Sequence, residues 1–171
     1  KVLAACTALD RGYQESPWTW HLPMPQDCLE LLLQIRECSD IPRVVWPKGE
    51  TFRITRSLSF QDLSVTLTAK NQWFSLSGEL RINENSVLDL KELLEEMEKH
   101  PGQFLPLKNG EFLALTREFR RRLRDLQTFG IPKGKELFLH PSASPVLQSF
   151  FAETARKDLP SEWQQTVERF S

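Results

Sequence analysis

Four arginines between positions 117 and 124, Arg117, Arg120, Arg121 and Arg124, form the densest set of side chains in this sequence with chemistry to offer. Guanidinium groups hold phosphates by charge and by paired hydrogen bonds, so a cluster of them on one helix face reads as a contact for a nucleic-acid backbone. The spacing supplies the helix: Leu115, Phe119, Leu123 and Leu126 fall on one apolar stripe and leave the four arginines opposite, toward solvent. The competing reading is electrostatic. Residues 84 to 98 hold six acids and one Lys, net −5, whereas residues 116 to 135 hold seven bases and two acids, net +5. Arginines that pair with the neighbouring Glu-rich helix, or simply solvate their own, need no ligand. Trp73 is the second candidate. It points away from the apolar face of its strand, where it can stack on or dock a partner, or lie under another helix.

Other chemistries lack their residues. A phosphate-binding loop needs G-x-x-x-x-G-K-[ST], and the nearest stretch, Gly130-Ile131-Pro132-Lys133-Gly134-Lys135, has too few residues between its glycines and no Ser or Thr after the Lys. It reads as a plain loop. His21, His100 and His140 are far apart, so no metal-ligand spacing exists among them. His140 lies near Ser142 and Ser144 in a Pro-flanked turn, without the strand-to-helix elbow a nucleophile requires. Glu95 and Glu96 point about 100° apart on a helix and cannot face each other across a substrate. Cys6, Cys28 and Cys38 are odd in number and lack C-x-x-C spacing, which favours reduced core thiols over a disulfide framework or a zinc site. No catalytic residue, cofactor site or metal site is therefore expected.

The elements that would position the arginines and Trp73 follow from periodicity. In 171 residues with net charge −1 and 40% apolar content, one domain or two small lobes can bury a core. No apolar run is long enough for a bilayer span and the first residues lack a secretory signal, so a cytoplasmic setting without membrane contact is expected. The opening Lys1 leads us to expect a piece excised or processed from a longer protein. Three zones separate. Residues 1–48 read as mainly helical, with an apolar stretch at Val2–Leu9, a helix from Asp27 to Cys38, and a strand-like alternation of Trp18, Trp20 and Leu22. Residues 49–141 shift to period 2, as an antiparallel sheet with two inserted helices. Phe52 and Ile54, then Leu63 to Lys70, turn at Lys70-Asn71 into Gln72 to Ile82. A helix runs from about Leu90 to Lys99 with Asp89 as N-cap and Glu92 at the reciprocal capping position. Phe104–Leu107 and Phe112–Leu115 form a hairpin around Asn109-Gly110. Thr116 caps the basic helix, which stops near Gly130, and Leu137–His140 is a further strand. Residues 142–171 close the chain with helices over 145–156 and 161–170. The class is α+β: an antiparallel sheet with hairpins, flanked by N-terminal and C-terminal helices.

Several segments, in order, resemble the accessory region that precedes the ATPase core in bacterial Swi/Snf-type helicase-like proteins. They are Val45-Trp46-Pro47-Lys48-Gly49-Glu50, Trp73-Phe74-Ser75-Leu76-Ser77-Gly78-Glu79-Leu80, Val87-Leu88-Asp89-Leu90-Lys91-Glu92-Leu93-Leu94, and the run Phe104 to Leu115. The basic helix, the Leu137–His140 strand and a final helix around Trp163 follow. The likeness covers residues 45 to 170, and is weaker upstream through Trp18 and the Leu29–Leu33 helix. At two points this chain departs from the pattern. Ser75 replaces the acidic residue often found after Trp-Phe, and Asn83-Glu84-Asn85 stands where a turn often carries Gly.

The resemblance implies an accessory, helicase-associated piece of a DNA-dependent ATPase that translocates along double-stranded DNA. The family's ATP-binding motifs are absent from these residues, so ATP and Mg are expected only in the parent's ATPase core. The fragment is expected to be non-catalytic, with its own ATPase core in cis as partner. Double-stranded DNA is a further expected partner through the arginines. The alternative is a protein–protein interaction module, without nucleic-acid binding, that presents Trp73 or the acidic helix.

Overall fold

Alternation and capping build most of the elements, and long-range pairing sorts them into two units. The computed structural model describes residues 6–38, 44–48, 52–107 and 110–170. The units are Lys1–Ser57 with Gly102–Ala114, and Leu58–Pro101 with Leu115–Ser171. The chain thus changes unit after Ser57, Pro101 and Ala114, and the middle zone of the sequence contributes to both.

In the first unit, a 3-10 turn (Thr7–Arg11) precedes a hairpin of β1 (Tyr13–Ser16) and β2 (Thr19–His21), then helix α1 (Pro25–Glu37). Trp18 sits in the hairpin turn rather than on a strand face and is fully in solvent. Pro25 occupies the first turn of α1, where a missing N–H costs nothing. Arg11 ties the turn to the helix, with Nη1 at 2.7 Å from Asp27 and Nη2 at 2.7 Å from Glu30. Strands β3 (Arg53–Leu58), β7 (Phe104–Pro106) and β8 (Glu111–Leu115) form a sheet in the order β3-β8-β7. Its core gathers Leu29, Leu33, Ile54, Phe104 and Ala114. The expected hairpin is present: Phe104 pairs with Ala114 and Leu105 with Leu113, and Gly110 takes φ +78°. Val2–Ala5, Gly49-Glu50 and Asn109 lie outside the described residues.

The second unit is a sheet with helices on one face. Among the described residues its elements are β4 (Leu63–Lys70), β5 (Trp73–Asn83), β6 (Ser86–Asp89), α2 (Leu90–Lys99), α3 (Arg117–Phe129), β9 (Gly130–Lys133), β10 (Glu136–Leu139), α4 (Ser144–Glu153), β11 (Arg156–Asp158) and α5 (Ser161–Phe170). The strand order is β11-β4-β5-β10-β9, with β6 also paired to β5, and every pairing is antiparallel except β11 with β4. The fold is α+β, as expected. The β4–β5 turn falls on Asn71 and Gln72, φ 47° and 68°, the two left-handed positions of a tight hairpin, one residue later than expected. Three strands were not anticipated. The segment expected to be a loop after α3 is β9, Ser86–Asp89 is β6, and Arg156–Asp158 joins the sheet edge as β11.

Period-2 alternation sends Leu63, Val65, Leu67, Phe74, Leu76, Leu80, Leu137 and Leu139 into the core. Gly78 shares that inward face, and a Cβ there would lie 2.9 Å from Ser64 O and 3.2 Å from Leu90 Cδ2. A backbone oxygen cannot swing aside. Gly78→Ala is therefore expected to cost about 1–3 kcal/mol through overpacking, read as a lowered urea midpoint with an unchanged slope. An unchanged midpoint would show that α2 can shift away from β5 at no cost.

Candidate nucleic-acid interface

Helix α3 starts where Thr116 Oγ1 accepts the Phe119 N–H at 3.3 Å. Phe119, Leu123 and Leu126 are fully buried, with Leu115 just before the cap, so the predicted apolar stripe is the one that packs. At 3.6 residues per turn, Arg117, Arg121 and Arg124 stand at i, i+4 and i+7 on the opposite side. All three are exposed. Arg117 makes no ion pair or hydrogen bond among the described residues. Arg121 Nη2 lies 2.6 Å from Glu118, which also meets Arg122 Nε at 3.1 Å. That hydrogen bond from Arg121 holds the Glu118 carboxyl below the usual carboxylate range. Arg124 Nη2 donates to Pro101 O at 3.1 Å, just past the end of α2.

Arg120 departs from the expectation of four solvent-facing arginines: it is only 6% exposed. It follows Phe119 directly and precedes Leu123 by one turn, so it lies on the shoulder of the apolar stripe. Its Nη2 donates to His100 O at 2.5 Å and more weakly to Met97 O at 3.4 Å, where the unpaired carbonyls of α2 end. Its Nε and Nη1 have no hydrogen-bond partner. Burial, with Arg124 nearby, lowers its pKa from the ordinary arginine value. The end of the acidic helix is thus met through backbone carbonyls, by Arg120 at Met97 and His100 and by Arg124 just beyond at Pro101, while Lys99 lies 2.7 Å from Glu96 and Lys91 lies 3.4 Å from Glu95 on that helix itself.

Trp73 lies on the face of β5 opposite the apolar core side chains, as expected, with the buried Ser75 next to it on that face. It is half-buried, and what meets it is the His140 ring, edge-on at 5.0 Å, rather than a helix. His140 itself caps the 3-10 turn Pro141–Ala143: its Nδ1 accepts the Ser142 N–H at 3.2 Å, and Ser142 Oγ lies 2.8 Å away. With Nδ1 spent on the turn, that Ser–His contact is a cap and not a nucleophile held by a free base. The two apolar residues on the same sheet face as Trp73 that sequence reasoning missed are Phe138 and Ile131. Phe138 is half-buried, Ile131 is 56% exposed, and they pair across β10 and β9 on the helix-free face. The signal was available, since Leu137 and Leu139 alternate inward and leave Phe138 outward.

Gly130–Lys135 does not fit a phosphate cradle. Gly130–Lys133 is a strand in ladder register with Glu136–Leu139, and Gly134, φ +62°, serves the hairpin turn between them. The backbone N–H groups that would face a phosphate sit in a hairpin, and no helix begins there. Among the described residues there is no group of three His, Cys, Asp or Glu side chains placed to hold a metal ion, and no helix long and apolar enough to cross a membrane. Compared with known proteins, the chain matches no family model, no curated protein and no solved structure.

Proposed function

We propose that this chain is a non-catalytic accessory module of a bacterial Swi/Snf-type ATP-dependent DNA translocase. It works in the cytoplasm, docks on its own ATPase core, and touches double-stranded DNA through the exposed stripe of Arg117, Arg121 and Arg124. ATP and Mg belong to the core and not to this chain. The observation that carries the DNA contact is the stripe itself: three exposed guanidinium groups at i, i+4 and i+7 span about 10 Å of helix. The family reading draws on the ordered segments, which occupy structural positions: Trp73–Leu80 lies within the central strand β5, Val87–Leu94 forms the junction of β6 and α2, and Phe104–Leu115 is the β7–β8 hairpin. The three arginines lie on the exposed side of α3, so replacing them tests the contact without touching the buried core.

The test is the salt dependence of binding to a fluorescent duplex. Each phosphate contact contributes about 0.9 to the slope of log affinity against log salt, so losing three contacts lowers the slope by about 2.7. Between about 50 and 200 mM salt the wild type should then lose roughly 40-fold more affinity than the Arg117→Gln/Arg121→Gln/Arg124→Gln variant. Equal slopes for the two proteins would remove the backbone contact. A second reading, a protein-docking module without nucleic-acid binding, is favoured by Trp73 on the helix-free sheet face and by Glu118 beside Arg121. Its mark is a partner interface insensitive to salt and lost in Trp73→Ala.

A further inference from the structure

We infer that the helix-free face of the second sheet is a stacking platform for single-stranded nucleic acid, centred on Phe138 and Trp73. This surface is separate from the arginine stripe and does not depend on it.

The register brings the rings together. Phe138 on β10 is opposite Ser75 on β5, and Leu139 is opposite Phe74. Continuing by one residue sets Trp73 beside His140, which is where their rings meet at 5.0 Å. The two aromatic positions are therefore one two-residue step apart, about 7 Å along the strands. Ile131 extends the apolar floor on one side, and the exposed hydroxyls of Thr68 and Thr66 on β4 extend the polar side. Antiparallel sheets commonly leave one face to water, but that face is ordinarily polar. Here its middle carries an aromatic ring, an indole and an exposed isoleucine.

The charges around the rings select the occupant. Lys70 and Lys133 place their ammonium groups 5.8 Å and 5.4 Å from the centre of the Phe138 ring. Lys91 reaches over to donate to Gly134 O at 2.5 Å, so a third ammonium stands at the β9–β10 turn. Against them, Glu136 pairs with Lys70 at 2.8 Å and Glu95 with Lys91 at 3.4 Å. Lys133 has no acidic partner among the described residues. The far end of the same face is different in kind: Glu79 and Asp158 stand beside Arg156 and Lys157, among the hydroxyls of Ser64 and Ser77. Charges of both signs meet there, whereas at the aromatic end two ammonium groups stand over one ring. Planar rings that accept a base, flanked by flexible ammonium groups that can move onto the phosphates, are the combination with which single strands are bound without sequence preference. A duplex hides the faces of its bases and gains nothing from the rings.

The test uses the full chain and a fluorescein-labelled 15-mer of thymidine, followed by anisotropy at about 50 mM salt, with circular dichroism as the check on folding. Phe138→Leu and Trp73→Leu keep an apolar side chain at each position and remove the ring. Each is expected to weaken strand binding roughly tenfold, within the about 5- to 150-fold that a base stacked on an aromatic side chain is worth. Trp73→Leu should also abolish the quenching of tryptophan emission on adding the strand. The arginine variant separates the two interfaces. If it loses duplex binding yet binds the 15-mer with unchanged sensitivity to Phe138→Leu, both surfaces stand. If duplex binding falls with the arginines while the folded wild type ignores the 15-mer, the platform is wrong and the backbone contact survives. Strand binding that is indifferent to both ring variants, or a face that captures only a protein partner, also overturns the platform.

Discussion

Phe150→Ala is expected to lower the stability of the second unit by about 3–5 kcal/mol, the cost of emptying a buried aromatic site. Phe150 is 1% exposed and stands in the middle of a chain of rings packed edge to face. Phe119 meets Phe60 at 4.9 Å, Phe60 meets Phe150 at 5.7 Å, Phe150 meets Phe151 at 5.4 Å, Phe151 meets Trp163 at 5.0 Å, and Trp163 meets Phe74 at 5.1 Å. These rings come from α3, the turn before β4, α4, α5 and β5, so one chain of contacts joins the helices to the sheet. Edge-to-face pairs add about 0.5–1.5 kcal/mol each beyond the area they bury, and Phe150 makes two. Alanine removes both pairs and leaves a void beside Phe60 in the turn before β4 and Phe151 on α4 itself. Urea unfolding of Phe150→Ala should show the loss as a lower midpoint. Phe170→Ala is the control, because Phe170 is 43% exposed and its removal should change stability by no more than about 0.5 kcal/mol. Equal effects at the two positions would refute the ring chain as the core of this unit.

Arg120→Ala is expected to cost about 2–3 kcal/mol, while Arg120→Met stays within about 1 kcal/mol of the wild type. The difference comes from opposing effects at one buried guanidinium. Its hydrogen bonds to His100 O and Met97 O satisfy the end of α2, and its stem fills space beside Phe119 and Leu123. Its Nε and Nη1 are buried without partners, which is unfavourable. Methionine keeps the volume of the stem, gives up the two bonds and relieves the unpaired charge, so gain and loss nearly cancel. Alanine loses the bonds and opens a cavity as well. Duplex binding supplies the functional half of the experiment. Arg120→Met should leave DNA affinity unchanged, whereas Arg117→Gln should weaken it without touching stability. A loss of affinity in folded Arg120→Met would return that guanidinium to the interface.

Local signals in the sequence account for much of the second unit because the physics behind them is local. Asp89 caps α2, which spans the residues expected, with Oδ1 accepting the Lys91 N–H at 2.9 Å. Thr116 caps α3, whose apolar stripe at three- and four-residue spacing is fully buried. The inward and outward faces of β4 and β5 follow from alternation alone. The strands that escaped notice are those whose existence depends on a neighbour. Arg156, Lys157 and Asp158 are all exposed and show no alternation. They are a strand because the open edge of β4 offers unpaired N–H and C=O groups. Gly130–Lys133 contains Pro132, a residue that ordinarily argues against a strand, and is tolerated there because β9 is the outermost strand of its sheet. Tyr13–Ser16 is likewise exposed throughout and is held by β2.

The candidate sites divide along the same line. Which residues carry positive charge, which helix bears them and which side of that helix is apolar were all determined by the order of amino acids, since each depends on contacts within a turn or two. Whether Arg120 faced water was not, because it stands on the border between the two sides of α3. Its fate turned on the carbonyls of Met97 and His100, 23 and 20 residues earlier in the chain. The aromatic platform also required long-range register: Phe138 and Trp73 are 65 positions apart and become neighbours only when β10 pairs with β5. Likewise, the return of residues 102–114 to the first unit follows from β8 finding β3, a pairing that no local pattern encodes. Periodicity specifies which face of an element is apolar. The partner that covers or bares the other face is set by packing across the whole chain.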